Sequence, residues 1–273
     1  MSEEDGARAA AERLYAPPRE VTDPSLCSFY HVMDLPGLGT VGGQWDLRPT
    51  VEDYLGRFDF GGRRVLDMGA ASGYLSFEVE KRGADVVSFD LDSPDRWEVV
   101  PFADPRYSIE AVRARYRQLV PARWNAYWLA HRLLASRNRV FYGDIYALPE
   151  ALGDFDVVLF GMILGHLRDP FRALAAVAPF ARDAIIVTQA APLVDEAFGY
   201  FMPDPATLEP DAAWWSLSEA CTSRMLGVLG FTVESVIRAA HACVARQDRQ
   251  LCSTIVARRH HPRVASAAVP RRG

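Results

Sequence analysis

A cluster of small residues follows an apolar run and a carboxylate in the first third of the chain. The stretch reads RVLDMGAASGYLSF, and its turn residues are Asp67, Gly69, Ala70, Ala71 and Gly73. Small residues let a ligand approach the backbone closely and permit a positive φ. A helix that begins at Gly73 would offer free N–H groups to a negative or polar group. The pattern predicts a buried strand that turns into a helix and holds a nucleotide-containing ligand on the turn.

A second carboxylate ends the next apolar run. Asp90 closes the run DVVSFD, and a carboxylate at that strand end can accept hydrogen bonds from both hydroxyls of a ribose. A dinucleotide site has G-x-G-x-x-G beneath its pyrophosphate, whereas this turn reads D-x-G-x-A-x-G. Asp67 would repel a pyrophosphate, but it suits the cationic amine of a methionine. The two acids therefore favour S-adenosylmethionine over a dinucleotide.

The wider run VLDMGAASGYLSFEVEKRGADVVSFD resembles motifs I and II of class I S-adenosylmethionine-dependent methyltransferases. A later run, YGDIYALPEALGDFDVVLFGMILGHLRDP, is similar to the acidic loop and fourth strand of that family. The resemblance implies that Asp144 meets the adenine amino group and Ile145 its ring. It also implies that Gly161 and Met162 border the methionine end, and that S-adenosylhomocysteine is the cofactor product. Leu91, beside the ribose carboxylate, is a further predicted cofactor contact.

Three segments sharpen the resemblance: FYHVMDLPGLGTVGGQWDLRP, GYLSFEVEKRGADVVSFDLD and LGHLRDPFRAL. Together they look like bacterial methyltransferases related to the tRNA uridine-34 modification enzymes, over about residues 28–258. Ala71 occupies the position of the family's middle glycine. Alanine is tolerated there if the backbone φ at that position is negative. Gly165 stands where the carboxymethyl-transferring members have a tyrosine, and their N-terminal lysine has no counterpart. The resemblance therefore implies ordinary methyl transfer, with a tRNA wobble-uridine modifier as an alternative.

The acceptor side is less determined. His166 follows the fourth strand and is either a general base near neutral pH or, as the helix-entry pattern HLRDP favours, a structural histidine. An aromatic segment containing Trp45 is either a lid over the cofactor or core. Aromatic walls bind flat or apolar substrates, with core packing as the alternative reading. The residues predicted to face the acceptor are Tyr30, His31, Trp124, Trp128, Trp214 and Trp215.

Apolar strands alternate with amphipathic helices along the rest of the chain. Strands are predicted at 63–67, 85–90, 140–142, 155–160, 184–189, 231–238 and 250–258. Helices are predicted at 50–58 with Thr50 as N-cap, 73–82, 108–136 with a break at Pro121, 170–180 and 216–229. Such alternation is typical of a Rossmann-like, doubly wound α/β fold. The short connection before the last strand predicts a mostly parallel seven-stranded sheet with that strand antiparallel.

The domain organisation follows from these elements. An N-terminal helix and aromatic lid segment occupy 1–50, and the methyltransferase domain occupies 51–259. Within that domain, a helical insertion spans 95–139 and a substrate-side insertion spans 192–216. The tail at 260–273 is expected to be disordered.

Composition limits the class of protein. With 273 residues, 49% hydrophobic and 24% charged, the chain is expected to be a globular protein with a substantial core. It has neither an apolar run of the roughly 18 residues that a membrane span needs nor the apolar core of a secretory signal, which predicts a cytoplasmic location. Its four cysteines have no CxxC spacing, so no metal site is expected.

Charge bears on the partner. A net charge of −5 gives no global basic field for nucleic acid, although an arginine-rich stretch within 106–139 leaves phosphate or RNA binding open beside a solvated helical face. The expected partner is a small-molecule acceptor, with a homo-oligomer left open. A non-catalytic S-adenosylmethionine-binding subunit and a nicotinamide-dependent dehydrogenase are the remaining alternatives.

Overall fold

The computed structural model describes residues 14–190, 192 and 194–260. The predicted disorder of the tail from 261 onward and the first part of the predicted N-terminal helix lie outside these residues. The strands are β1 (Met33–Leu35), β2 (Gly39–Val41), β3 (Trp45–Asp46), β4 (Arg64–Met68), β5 (Asp85–Leu91), β6 (Arg139–Gly143), β7 (Phe155–Gly161), β8 (Ala181–Gln189), β9 (Gly199–Phe201), β10 (Trp215–Leu217), β11 (Phe231–Cys243) and β12 (Asp248–Arg259).

Helices pack on both faces of the main sheet. The α-helices in the described part of the chain are α1 (Val51–Tyr54), α2 (Tyr74–Lys81), α3 (Ile109–Leu133), α4 (Pro170–Val177) and α5 (Glu219–Val228). Short 3-10 turns occupy Pro24–Leu26, Arg48–Thr50, Pro94–Arg96, Glu150–Leu152, Leu164–His166 and Ala178–Phe180.

The main sheet has eight strands in the order β3-β11-β12-β8-β7-β4-β5-β6. From β8 to β6 neighbouring strands are parallel, whereas β12 is antiparallel to both β8 and β11. The predicted Rossmann-like sheet with an antiparallel last strand is confirmed. The predicted count of seven is wrong by one, because Trp45 and Asp46 pair with the end of β11 as an extra edge. Part of the predicted lid is therefore built into the sheet.

The two faces of the sheet bury two separate cores. Along β4, Val65 belongs to the core that contains Trp128 of α3, whereas Leu66 belongs to the core that contains Leu174 of α4. Successive side chains of a strand point to opposite faces, so a strand covered by helices on both sides needs a continuous apolar run. This is why the apolar runs in the sequence located the central strands.

Helix α3 runs unbroken through Pro121, so the predicted break is wrong. A proline inside a helix removes one hydrogen bond and costs about 3 kcal/mol. Buried residues lie on both sides of it, with Val120 before and Tyr127 and Trp128 after. Their packing offsets the loss and keeps the helix continuous through the proline.

Two helix boundaries also differ from prediction. The segment predicted as one helix over 216–229 begins as β10, and α5 starts only after Ser218, whose hydroxyl accepts a hydrogen bond from the Cys221 N–H at 3.1 Å. Thr50 occupies the N-cap position of α1 but does not cap it. Its hydroxyl lies 2.8 Å from Nδ1 of His241 instead, because that ring on β11 packs against the start of the helix.

None of the helices in the described ranges is long and apolar enough to cross a membrane. The same residues contain no cluster of three or more histidine, cysteine or acidic side chains that could hold a metal ion. All four cysteines are free thiols.

Candidate functional site

A cavity of about 530 Å³ opens at the carboxyl ends of the parallel strands, which is where open α/β sheets bind ligands. One side, here called the strand-end wall, consists of Gly69, Ala71, Asp90, Leu91, Asp144, Ile145, Gly161 and Met162. The opposite side, the helical wall, consists of Trp97, Tyr116, Leu119, Val120, Arg123 and Trp124. Tyr30, Glu98, Tyr146 and His166 also line it.

The glycines of the turn after β4 are required by the geometry of the chain. Gly69 and Gly73 have φ of 80° and 87°, a region that glycine alone occupies freely. A Cβ on Gly69 would lie 2.5 Å from the side chain of Ile163, and one on Gly73 would lie 2.5 Å from the ring of Phe77. The turn therefore brings bare backbone to the cavity.

Ala71 adopts a positive φ of 51°, so the expectation that a negative φ makes alanine tolerable here is wrong. Such a conformation costs a residue with a Cβ about 1–2 kcal/mol. The Ala71 N–H donates to Oδ2 of Asp90 at 2.8 Å. Met162, on the same wall of the cavity, has a φ of 58°. Backbone strain of this kind collects at ligand sites.

Asp90 faces the cavity from the end of β5. Its Oδ1 accepts from the Leu91 N–H at 2.7 Å and its Oδ2 from the Ala71 N–H at 2.8 Å. Burial raises the pKa of this carboxyl to about 6, although both backbone bonds act in the opposite direction. Each oxygen retains a further lone pair. The carboxylate is thereby held in one orientation with acceptor capacity for two hydroxyl groups.

Asp67 lies on the neighbouring strand but points away from the cavity. The Ser76 hydroxyl donates to its Oδ2 at 2.6 Å, and Ser88 continues the network to the Tyr127 hydroxyl through contacts of 2.8 Å each. Burial, and to a smaller extent the charge of Asp90, raises the pKa of Asp67 to about 6. Asp67 is not part of the cavity lining, and its contact with a methionine amine stays a prediction.

Asp144 and Ile145 follow β6 and line the cavity beside Asp90. Oδ1 of Asp144 accepts from the Tyr146 N–H at 2.9 Å, and its Oδ2 pairs with Arg96 at 3.0 Å. The carboxylate predicted to meet an adenine amino group is therefore fixed by a turn and neutralised by an arginine.

His166 lies on the 3-10 turn after β7. Its Nδ1 is 2.7 Å from the Ala212 carbonyl oxygen, which can only accept, so Nδ1 carries the proton and Nε2 is left with a lone pair. Burial is the main reason that the pKa of His166 lies below its usual range. Within the described chain no group hydrogen-bonds to Nε2. The side chain is thus a neutral imidazole with one free acceptor at the cavity.

Among the predicted acceptor-facing aromatics, Tyr30 and Trp124 line the cavity. His31 is buried against Tyr30 and Tyr74, and burial lowers its pKa to about 3. Trp128 lies in the core and donates to the Tyr142 hydroxyl at 3.1 Å. The structure therefore places His31 and Trp128 behind the wall rather than in it.

Trp214 and Trp215 lie outside the cavity lining and hydrogen-bond to backbone carbonyls near its rim. The Trp214 Nε1–H donates to the Glu98 carbonyl at 2.8 Å, and the Trp215 Nε1–H donates to the Arg168 carbonyl at 3.0 Å. The remaining predicted residues outside the lining are the predicted cofactor contacts Trp45, Ala70 and Gly73, all close-packed in the fold.

Sequence reasoning pointed to the aromatic residues of the helical insertion but missed Leu119, Val120 and Arg123 of the helical wall. Tyr116, Leu119, Val120, Arg123 and Trp124 recur at the spacing of one helical face. That periodicity, continued across the arginines, was the signal that could have found the wall. It was obscured because Arg123 reads as one more cation of an arginine-rich helix.

The fold also occurs in solved methyltransferases. No protein-family model and no curated protein matches the chain. The Burkholderia thailandensis 1,6-didemethyltoxoflavin-N1-methyltransferase, solved with its substrate and S-adenosylhomocysteine, is 17% identical with a TM-score of 0.50, over 79% of this chain and 78% of that one. A Methanosarcina mazei S-adenosylmethionine-dependent methyltransferase is 16% identical with a TM-score of 0.51, over 80% and 100%. The chain has the Rossmann-like methyltransferase fold.

Proposed function

We propose that the chain is an S-adenosylmethionine-dependent methyltransferase that transfers a methyl group to oxygen, nitrogen or carbon of a small aromatic or apolar acceptor. The observation that carries the proposal is the Asp90 carboxylate, which two backbone N–H groups hold at the mouth of a glycine-rich turn. A fixed acceptor pair suits the two hydroxyls of a ribose. The fold shared with solved methyltransferases supports the same reading.

The residues of the cavity fit the parts of this cofactor. Asp90 would bind the ribose, Asp144 and Ile145 the adenine, and Gly161 and Met162 the methionine end. A volume of about 530 Å³ lies within the usual range for such sites, about 300–1,000 Å³. The cofactor supplies an activated methyl carbon, so the protein mainly has to align donor and acceptor.

His166 is the proposed proton acceptor. With Nδ1–H bonded to the Ala212 carbonyl, the ring presents its Nε2 lone pair to the cavity. The lowered pKa keeps this imidazole neutral at physiological pH, the form that a general base needs. The alternative is a structural histidine that only stabilises the turn after β7. The Nδ1 hydrogen bond alone would fulfil that role, and Nε2 would have no function.

A tRNA wobble-uridine modifier is the alternative function that the sequence resemblance raises. It requires a continuous positive surface near the cavity, because phosphate contacts dominate RNA affinity. The exposed arginines of α3 are neutralised by acids, as in the pairs Arg115 with Asp211 at 2.6 Å and Arg117 with Asp95 at 2.7 Å. This pairing favours a small-molecule acceptor.

Titration calorimetry of the full chain with S-adenosylmethionine, S-adenosylhomocysteine and NADH tests the proposal. We expect both sulfur nucleosides to bind at a single site and NADH not to bind. Binding of NADH, or absence of binding by S-adenosylhomocysteine, would overturn it. Methyl-labelled cofactor incubated with total tRNA and with a small-molecule extract then separates the acceptor classes. A chain that binds cofactor but labels nothing would be a non-catalytic subunit.

A further inference from the structure

Arg123 differs from the arginines nearer the start of α3 in having no acidic partner among the residues that the structure describes. Those nearer the start of the helix are paired: Arg113 with Glu110 at 3.1 Å, Arg115 with Asp211 at 2.6 Å and Arg117 with Asp95 at 2.7 Å. The Arg123 guanidinium makes neither an ion pair nor a hydrogen bond with any residue that the structure describes, and its Nε is buried without a partner. An unpaired cation inside a protein is costly.

Aromatic rings hold the Arg123 head group in the helical wall. The guanidinium carbon lies 4.8 Å from the centroid of the Tyr30 ring and 5.6 Å from that of Trp97. The electron-rich faces of these rings attract the cation, but they offer no oxygen to its N–H groups. The side chain is therefore positioned at the cavity while its hydrogen-bonding capacity stays unused.

No acid of the cavity lining forms an ion pair or hydrogen bond with this arginine, although the charge of Asp90 attracts it from a greater distance. Asp144 pairs with Arg96, and the Glu98 carboxylate accepts hydrogen bonds from the Tyr146 hydroxyl and the Arg168 N–H. Asp90 is bonded by two backbone N–H groups and is the proposed ribose acceptor. The Nε–H of Arg123 is thus left without a hydrogen-bond acceptor, and an anionic ligand in the cavity would supply one.

We propose that Arg123 binds a carboxylate or phosphate group of the methyl acceptor, which makes the acceptor an aromatic anion. The proposal rests on the proposed function and narrows its substrate class. The planar fork of a guanidinium matches both groups with two parallel hydrogen bonds. Trp97 and Tyr116 stack on each other with ring centroids 4.5 Å apart, and together with Trp124 they line the cavity, so a ring carried by the anion would pack against an aromatic surface.

The test measures probe binding to the full chain saturated with S-adenosylhomocysteine, by the change in tryptophan fluorescence. The probes are benzoate and phenyl phosphate, with neutral benzamide and benzyl alcohol as counterparts. We expect the wild type to bind at least one anion about tenfold more tightly than its neutral counterpart. Arg123→Met should abolish this preference, and Arg123→Lys should keep part of it. Arg117→Met, on the same helix but exposed, should leave it unchanged.

S-adenosylhomocysteine affinity is the second readout, and it should stay within about twofold in all three variants. The wild type lacking anion preference, or the preference surviving in Arg123→Met, would overturn the proposal. So would loss of S-adenosylhomocysteine affinity in Arg123→Met with 5′-methylthioadenosine binding retained, because Arg123 would then hold the carboxylate of the cofactor. If the wild type fails to bind S-adenosylhomocysteine, the proposed function fails, and the probe series on the free chain still decides the role of Arg123.

Discussion

The strand-end wall and the helical wall close the same cavity by different means. On the strand-end wall, backbone groups do most of the positioning: the turn at Gly69 to Gly73 is fixed by positive φ values, and Asp90 is held by two N–H groups. On the helical wall, side chains from α3 and Trp97 form the surface, and Arg123 has no acidic partner in the described part of the chain.

This difference indicates a division of work between the two walls. A wall built from backbone tolerates little change and suits the constant part of a reaction, the cofactor. A wall built from side chains can vary without disturbing the sheet and suits the acceptor. Substitutions on the strand-end wall should therefore change cofactor affinity or stability, and substitutions of cavity-facing polar groups on the helical wall should mainly change the choice of acceptor.

The largest expected effect is that of Asp90→Ala on the strand-end wall. Removing a charged acceptor of two hydroxyl groups should cost about 4 kcal/mol of binding free energy, which is roughly 1,000-fold in the S-adenosylhomocysteine dissociation constant by calorimetry. Asp85→Ala, at the exposed opposite end of β5, is the matched control and should change little. Equal affinities of the two variants for S-adenosylhomocysteine would contradict the assignment of Asp90 as the residue that binds the ribose.

Gly73→Ala should give the largest loss of stability. Its new Cβ would lie 2.5 Å from the Phe77 ring and 2.7 Å from Tyr127, at a φ of +87°. Overpacking and the unfavourable φ together should lower the free energy of unfolding by about 3 kcal/mol in urea denaturation. Gly37 also has a positive φ but no atom within 4 Å of a Cβ, so Gly37→Ala should lose only about 1 kcal/mol. Similar losses of stability in Gly73→Ala and Gly37→Ala would show that close packing does not require a glycine at position 73.

The same two walls separate what the sequence predicts from what it does not. Short stretches of sequence encode the central strands and the turn after β4. An apolar run that is covered on both faces and followed by small residues is typical of a buried strand and a tight turn. The position of Asp90 at a strand end follows from the same pattern. These features depend on neighbours in sequence, so they could be inferred without a structure.

The features that the sequence did not predict depend on contacts between separate elements. Asp67 points inward because β4 continues to Met68 and places the carboxylate opposite Ser76 of α2. Arg123 reaches the cavity because α3 continues without a break through Pro121 and because Tyr30 packs against its head group. No local pattern encodes either arrangement, since each is selected by tertiary packing.

Asp67 provides a pH test of how deeply its carboxylate is buried. Its pKa is raised from 3.8 to about 6 in the folded chain, so the folded state binds more protons and stability falls as pH rises through about 6. Asp67→Asn removes this dependence. The free energy of unfolding of the variant minus that of wild type should be about 2 kcal/mol higher at pH 8 than at pH 4.5, as measured by denaturant unfolding. The same comparison with Asp85→Asn gives the baseline. If the free energy of unfolding depended on pH identically in wild type and Asp67→Asn, the buried position of the Asp67 carboxylate would be contradicted.

Ala71→Gly should have the smallest effect and isolates the strain on the strand-end wall. Ala71 and Ala135 both have a φ of 51°, but Ala135 follows α3 away from the cavity. Glycine relieves the positive φ at either position, and its greater entropy in the unfolded chain removes part of the gain. Both variants should therefore gain up to about 1 kcal/mol in the free energy of unfolding. Only Ala71→Gly should also weaken S-adenosylhomocysteine binding, by about threefold, because a looser turn holds Asp90 less firmly. An affinity unchanged in Ala71→Gly would show that the strain serves packing alone and that the strand-end wall does not depend on it to orient the carboxylate.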